Sequence, residues 1–226
     1  MTEKRLYLLD FLRGLLLLIM VIYHYTFNLS YFFNYPIDLD AFFLKIIPPV
    51  FSSCFLLVSG YSSTLSRNSF KRGTYILFWA MVVTIVTFIF IPEAPVYFGI
   101  LHCIGLMMIL SRYLKKLPDK FLIIMSVSFF ILGYITKNYY LNHNLFLFLG
   151  ITSSSFASVD FYPLIPHGAF FILGTLLGRK KIPDILFTYP KNKIGEALTL
   201  AGKNSLKVYL LHQPLFFLFY YLIKMI

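Results

Sequence analysis

Four of the five histidines of this chain stand in apolar runs, and the first of these runs also carries a carboxylate and a guanidinium. Ionised groups inside hydrocarbon cost several kcal/mol each when unpaired, so they mark functional paths more often than scaffolding. In Leu8-Leu9-Asp10-Phe11-Leu12-Arg13-Gly14-Leu15, Asp10 and Arg13 are three residues apart and within reach on one helix face. Arg13 and His24 are eleven apart, almost three turns, and so project within about 20° of each other and roughly 16 Å apart along the axis. One face thus carries a cation in its inner part and an imidazole toward its outer end. The plainer reading is an Asp10–Arg13 pair that locks two helices, with His24 at the interface among aromatic residues. His102 lies in Phe98-Gly99-Ile100-Leu101-His102-Cys103-Ile104-Gly105, where the flanking glycines bare backbone to a partner helix or a thin ligand. For this histidine the plain alternative is hydrogen-bonded glue between helices. His167 in Pro163-Leu164-Ile165-Pro166-His167-Gly168 and His212 in Tyr209-Leu210-Leu211-His212-Gln213-Pro214 add two more imidazoles, while His143 falls in a loop where solvation explains it. Neutral imidazole takes up a proton near physiological pH, which is what activating a hydroxyl or amine acceptor requires. The sequence has no carboxylate pair, nucleophile elbow, phosphate-cradling glycine loop or metal cluster.

Such residues need helices in lipid to position them. With 59% hydrophobic and 13% charged residues, the chain is excluded from the water-soluble class, since no solvated surface has that composition. Apolar stretches long enough for about 30 Å of hydrocarbon lie near Leu6 to Phe27, Phe42 to Ser63, Thr74 to Ile91, Val96 to Tyr113, Phe121 to Thr136, Phe161 to Gly178 and Leu206 to Ile226. The pattern predicts an all-α polytopic membrane helix bundle of about seven transmembrane helices, the fifth the shortest. No connecting loop can hold a second domain, so residues 1–226 read as one domain, without internal repeats or inverted halves.

The net charge of +11 could suggest nucleic acid, but its placement argues for topology. Lys4 and Arg5 precede the first span; Arg67, Lys71 and Arg72 join the second and third. Arg112, Lys115, Lys116 and Lys120 join the fourth and fifth, and Arg179, Lys180, Lys181, Lys191, Lys193 and Lys203 the sixth and seventh. All fall on one side, whereas the other side carries Asp38, Asp40, Glu93 and Asp160 with Lys137 as its basic residue. The positive-inside rule therefore places the N-terminus in the cytoplasm and the C-terminus outside. The first apolar run is too long, too charged and too poor in a small-residue cleavage site to be a removed signal peptide. Cys54 and Cys103 both fall within spans without metal-ligand spacing and read as small core residues.

Two loops stand out. The outer one, from about Lys137 to Asp160, contains Leu145-Phe146-Leu147-Phe148-Leu149-Gly150, too short to span and suited to the interface or to folding back; Thr152-Ser153-Ser154-Ser155 suits an aqueous mouth. The inner one, from Arg179 to Lys203, contains Pro183 and Pro190 and ends in an amphipathic segment expected along the cytoplasmic surface. Gly174-Thr175-Leu176-Leu177-Gly178 is a small-xxx-small motif, read as close helix packing.

Taken in order, Arg5-Leu6-Tyr7-Leu8-Leu9-Asp10-Phe11-Leu12-Arg13-Gly14, His24, Val58-Ser59-Gly60-Tyr61-Ser62 and Phe98 to Gly105 resemble the heparan-alpha-glucosaminide N-acetyltransferase catalytic-domain family, within the broader transmembrane acyltransferase superfamily. Phe156-Ala157-Ser158-Val159-Asp160-Phe161-Tyr162-Pro163-Leu164-Ile165-Pro166 is similar to the family's loop entering a late helix. Gly202-Lys203-Asn204-Ser205-Leu206, Tyr209 and His212-Gln213-Pro214 are similar to its terminal span. The resemblance implies acetyl transfer from cytoplasmic acetyl-CoA, without a metal, to an extracytoplasmic acceptor such as a sugar or glycan. Under it, His24 and His102 are the candidate catalytic residues, either acting as general base or accepting the acetyl group. Arg13, Asp10, Arg67, Lys71, Arg72 and Arg179 are the candidate CoA-binding residues, basic side chains being suited to the phosphates. Asp160, His167 and His212 are candidates for the acceptor side. The expected setting is a bacterial plasma membrane, with the lipid bilayer, acetyl-CoA and the glycan as partners, no nucleic acid, and either a monomer or a homodimer. The lysosomal enzyme of this family has more spans and a luminal segment, so its glucosamine specificity does not carry over.

A secondary transporter or an acyl or sugar exporter without chemistry of its own is the alternative, since intramembrane Asp, Arg and His equally suit a substrate path. It predicts paired broken helices that this sequence does not display. A subunit anchoring other envelope enzymes gives no reason for Arg13, His24 and His102 to lie in apolar helices.

Overall fold

A computed structural model describes residues 6–180, 183, 185 and 192–225. Lys4, Arg5, Lys181 and Lys191, four of the residues in the charge argument, lie outside the described residues. Among those described there are eight α-helices and no β-strand: α1 Tyr7–Tyr31, α2 Phe42–Leu65, α3 Ser69–Phe90, α4 Ile100–Leu114, α5 Asp119–Thr136, α6 Leu164–Leu177, α7 Lys193–Lys203 and α8 Ser205–Lys224. Each of the seven apolar stretches coincides with one helix, and the eighth helix, α7, is the amphipathic segment of the inner loop. Five helices, α1, α2, α3, α5 and α8, are long and apolar enough to cross a membrane.

The shortest apolar helices are α4 and α6, at 15 and 14 residues, rather than the fifth span. The chain enters both through extended segments whose backbone groups are already bonded. Thr87 Oγ1 accepts from the Val96 N–H at 3.0 Å, Thr84 donates to the Val96 carbonyl at 2.6 Å, and Tyr162 N–H donates to the Phe98 carbonyl at 2.8 Å. Backbone polar groups at membrane depth must be satisfied inside the protein, and here threonine side chains and a neighbouring segment satisfy them before the helix begins.

The chain forms two compact units, one of residues 1–55 and 182–226 and the other of residues 56–181, so that α2 contributes to both. In the first unit, Leu17, Met20 and Phe51 form a buried core packed by Leu16, Ile47, Phe55 and Val208. Pro48 and Pro49 withdraw two N–H donors from the helical ladder of α2. Cys54, expected in the core, is exposed, because its helix turns Phe51 and Phe55 toward the cluster instead. The amphipathic α7 packs on α1 rather than only lying along a surface. A side chain at Gly14 would collide with the Leu198 carbonyl, and one at Gly202 with the Asp10 carbonyl. The two glycines therefore bring the two backbones into contact at the end of α1 that carries Asp10 and Arg13.

In the second unit, Leu56, Met107, Leu122, Phe171 and Ile172 are fully buried. The small-xxx-small reading of α6 is borne out: Gly174 lies against the Leu57 carbonyl of α2, and Gly178 against Tyr61 and Thr64. Phe78, Phe88, Ile124 and Ile131 of α3 and α5 point outward, as lipid-facing residues do. The segment between α5 and α6 doubles back: Leu141 N–H donates to Thr152 O at 3.0 Å, and the apolar run closes as a short 3-10 turn, Leu147–Leu149. Gly150 follows at φ 92°, a left-handed conformation that favours glycine.

Candidate functional site

Asp10 sits in the first turn of α1, buried, and its carboxylate pairs with Arg13 at 2.9 Å. The i,i+3 spacing delivers this contact without help from another element. The Arg13 side chain is about a quarter exposed.

Farther along the same helix, His24 meets α8. Its Nδ1 lies 2.9 Å from Nε2 of His212, and the two rings stack with centroids 5.0 Å apart. One turn beyond, buried Asn28 donates from Nδ2 to Oε1 of Gln213 at 2.7 Å. The two contacts repeat one pattern, residues i and i+4 of α1 against the consecutive pair His212-Gln213. His212 is further held by the Tyr209 carbonyl, which lies at its Nδ1. Asn28 is not among the residues the sequence points to, although it is four residues from His24, and Gln213 enters there only within the His212-Gln213-Pro214 motif.

In the second unit, His102 caps its own helix. Its Nδ1 accepts from the Gly99 N–H at 3.1 Å, and its Nε2 lies 3.2 Å from Thr84 Oγ1, whose hydroxyl donates to the Val96 carbonyl. A nitrogen that accepts from an amide N–H carries no proton, so the other nitrogen is the N–H donor. Both nitrogens of His102 are therefore engaged. Thr84 carried no signal in the sequence. Asp160 adds a second bond at this helix start: its Oδ2 accepts from the Ile100 N–H at 3.1 Å, where a carboxylate also suits the positive end of the helix dipole. A Cβ at position 99 would collide with that carboxylate, which explains the glycine. Ser158 ties the loop before Asp160 to the Pro95 carbonyl at 2.8 Å. His167 donates from Nδ1 to the Pro163 carbonyl at 3.1 Å, leaving Nε2 unprotonated and without a partner among the described residues.

The basic loops of this unit meet at its other end. Lys115 Nζ donates to Ser66 O at 3.4 Å, and Thr64 donates to Gly178 O at 3.1 Å. These contacts gather the α2–α3 turn, the α4–α5 turn and the end of α6. Burial lowers the affinity of Lys115 for its proton below the ordinary lysine range. Arg179 is engaged in this junction: its guanidinium donates to Leu114 O at 2.6 Å, to Leu117 O at 2.7 Å and to Asp119 Oδ1 at 2.6 Å. Arg67, Lys71 and Arg72 are exposed around the α2–α3 turn, where Asn68 caps α3 by accepting from the Lys71 N–H at 2.9 Å. No group of three or more His, Cys, Asp or Glu placed to hold a metal occurs among the described residues.

A family model described as heparan-alpha-glucosaminide N-acetyltransferase, catalytic, matches residues 5–214 of the chain. No curated protein and no solved structure matches it.

Proposed function

Because the chain belongs to the heparan-alpha-glucosaminide N-acetyltransferase catalytic-domain family, we propose that it is a transmembrane acetyltransferase that uses cytoplasmic acetyl-CoA to acetylate an extracytoplasmic sugar or glycan. The reading takes residues 1–226 as one working domain, in keeping with a family match that includes residues of both compact units. Seven crossings put the N-terminus in the cytoplasm and the C-terminus outside, in a bacterial plasma membrane. The basic end of the second unit then faces the cytoplasm, where CoA is. Exposed Arg67, Lys71 and Arg72 suit its phosphates through charge-assisted hydrogen bonds. In the first unit Arg13, paired with Asp10, is a candidate cation, and in the second unit Arg179 secures its own loops.

The observation that carries the chemistry is the His24–His212 contact within the first unit. His24 serves as general base. It takes the proton of the acceptor hydroxyl or amine as that oxygen or nitrogen attacks the thioester carbonyl. The carbon–sulfur bond breaks, CoA leaves as the thiolate, and the proton on His24 returns to the sulfur, so that the products are the acetylated acceptor and free CoA. In the second unit, His102 and Asp160 together set the conformation of residues 96–100 at the start of α4. His167 offers an acceptor nitrogen to a sugar hydroxyl.

The test incubates purified protein with radiolabelled acetyl-CoA and a panel of sugars, comparing the wild type with His24→Ala. The expected result is transfer to at least one sugar that His24→Ala abolishes while CoA binding persists. Absence of CoA binding would overturn the transferase reading, and normal transfer by His24→Ala would overturn the assignment of the base.

A further inference from the structure

We infer that His212 is a positioning residue whose hydrogen bond sets the tautomer of His24, leaving Nε2 of His24 as the atom that receives the acceptor's proton. This rests on the acetyltransferase reading for its catalytic meaning, but not for its geometry. A backbone carbonyl can only accept, so the contact between Tyr209 O and His212 Nδ1 requires a proton on that nitrogen. Neutral His212 therefore has its lone pair on Nε2. The atom 2.9 Å away is His24 Nδ1, and a bond between them requires that Nδ1 carry the proton. Neutral His24 is thereby left with an unprotonated Nε2, which has no partner among the described residues.

The consequence is a directed chain, from His24 Nδ1–H to His212 Nε2 and from His212 Nδ1–H to the Tyr209 carbonyl. Every donor points away from the reacting nitrogen. When Nε2 of His24 takes a proton, the Nδ1–H bond to His212 strengthens because its donor has become cationic. The neighbouring Asn28–Gln213 bond keeps the same two helices in register one turn away, so that the ring contact has a second anchor. The logic parallels a catalytic triad, in which a group behind the base holds its tautomer without itself reacting. Here an imidazole fixed by a carbonyl occupies the place of the carboxylate.

The test labels the histidine ring nitrogens of the full-length protein in detergent with nitrogen-15. With five histidines in the chain, assignment by single substitution is tractable. Above the pH at which the rings are charged, the expected spectrum shows His24 protonated at Nδ1 and bare at Nε2. His212→Leu should release His24 into a mixture of tautomers, and His212→Gln, whose side-chain oxygen can accept from Nδ1–H, should retain the wild-type form. With an acceptor in hand, His212→Leu should lower kcat at least about tenfold with KM for acetyl-CoA within about twofold, and His212→Gln should recover most of the loss. A wild-type His24 protonated at Nε2, or an unchanged tautomer in His212→Leu, overturns the inference. Failure of the wild type to transfer acetyl to any acceptor counts against the acetyltransferase reading alone, because the spectrum still decides the tautomer.

Discussion

The two candidate catalytic histidines, His24 and His102, differ in what their nitrogens are doing. His24 has one nitrogen bonded to His212, while both nitrogens of His102 are engaged with Gly99 and Thr84. Their substitutions should separate accordingly. His24→Ala is expected to lower kcat by about a hundredfold or more, the usual weight of a general base. His102→Ala removes two bonds from a buried cluster and should destabilise the protein by about 1–3 kcal/mol, visible as a lower midpoint in thermal unfolding in detergent. At this scale the candidate residues were legible because polar groups stand out in apolar runs. Their roles were not. The contacts of the Arg179 guanidinium with two backbone carbonyls and Asp119 carry no signal in the sequence.

At the scale of elements, contacts between backbones decide what can be changed. Gly14→Val or Gly202→Val would push α7 off α1, since in each case the added Cβ meets a carbonyl of the other helix. Overpacking of this kind typically costs about 1–3 kcal/mol, so either variant should unfold earlier than the wild type, and Ala at Leu200, an exposed position of α7, should not. Asp160→Ala removes the carboxylate from the start of α4. A lost helix cap costs about 1 kcal/mol, and faster amide exchange at Ile100 and the following residues would report it. Helix positions were readable from hydropathy to within a few residues. The late starts of α4 and α6 were not, because they depend on Thr84, Thr87 and Phe98 bonding to segments distant in sequence.

For the whole molecule, the asymmetry of charge predicts both orientation and donor side. In cells carrying Cys54→Ser, a cysteine placed at Ser154 should react with an impermeant maleimide from outside, and one placed at Lys116 only after permeabilisation; buried Cys103 should stay silent in both. Reversal of the two patterns would invert the proposed topology. Replacing Lys71 and Arg72 with glutamate should weaken CoA binding about tenfold or more in low salt, with a smaller effect as ionic strength rises, because exposed charges are screened. By itself the amino-acid sequence determined that this is a helical membrane protein, where its apolar helices lie and which loops are basic. Hydropathy and charge are properties of short segments, and a bilayer reads them one segment at a time. The tertiary structure decided which polar groups are engaged and with whom. His24 and His212 are 188 residues apart in the chain, and the tautomer of one follows from a carbonyl beside the other. No local pattern encodes such a partnership, since it exists only when two helices pack with their polar faces in register.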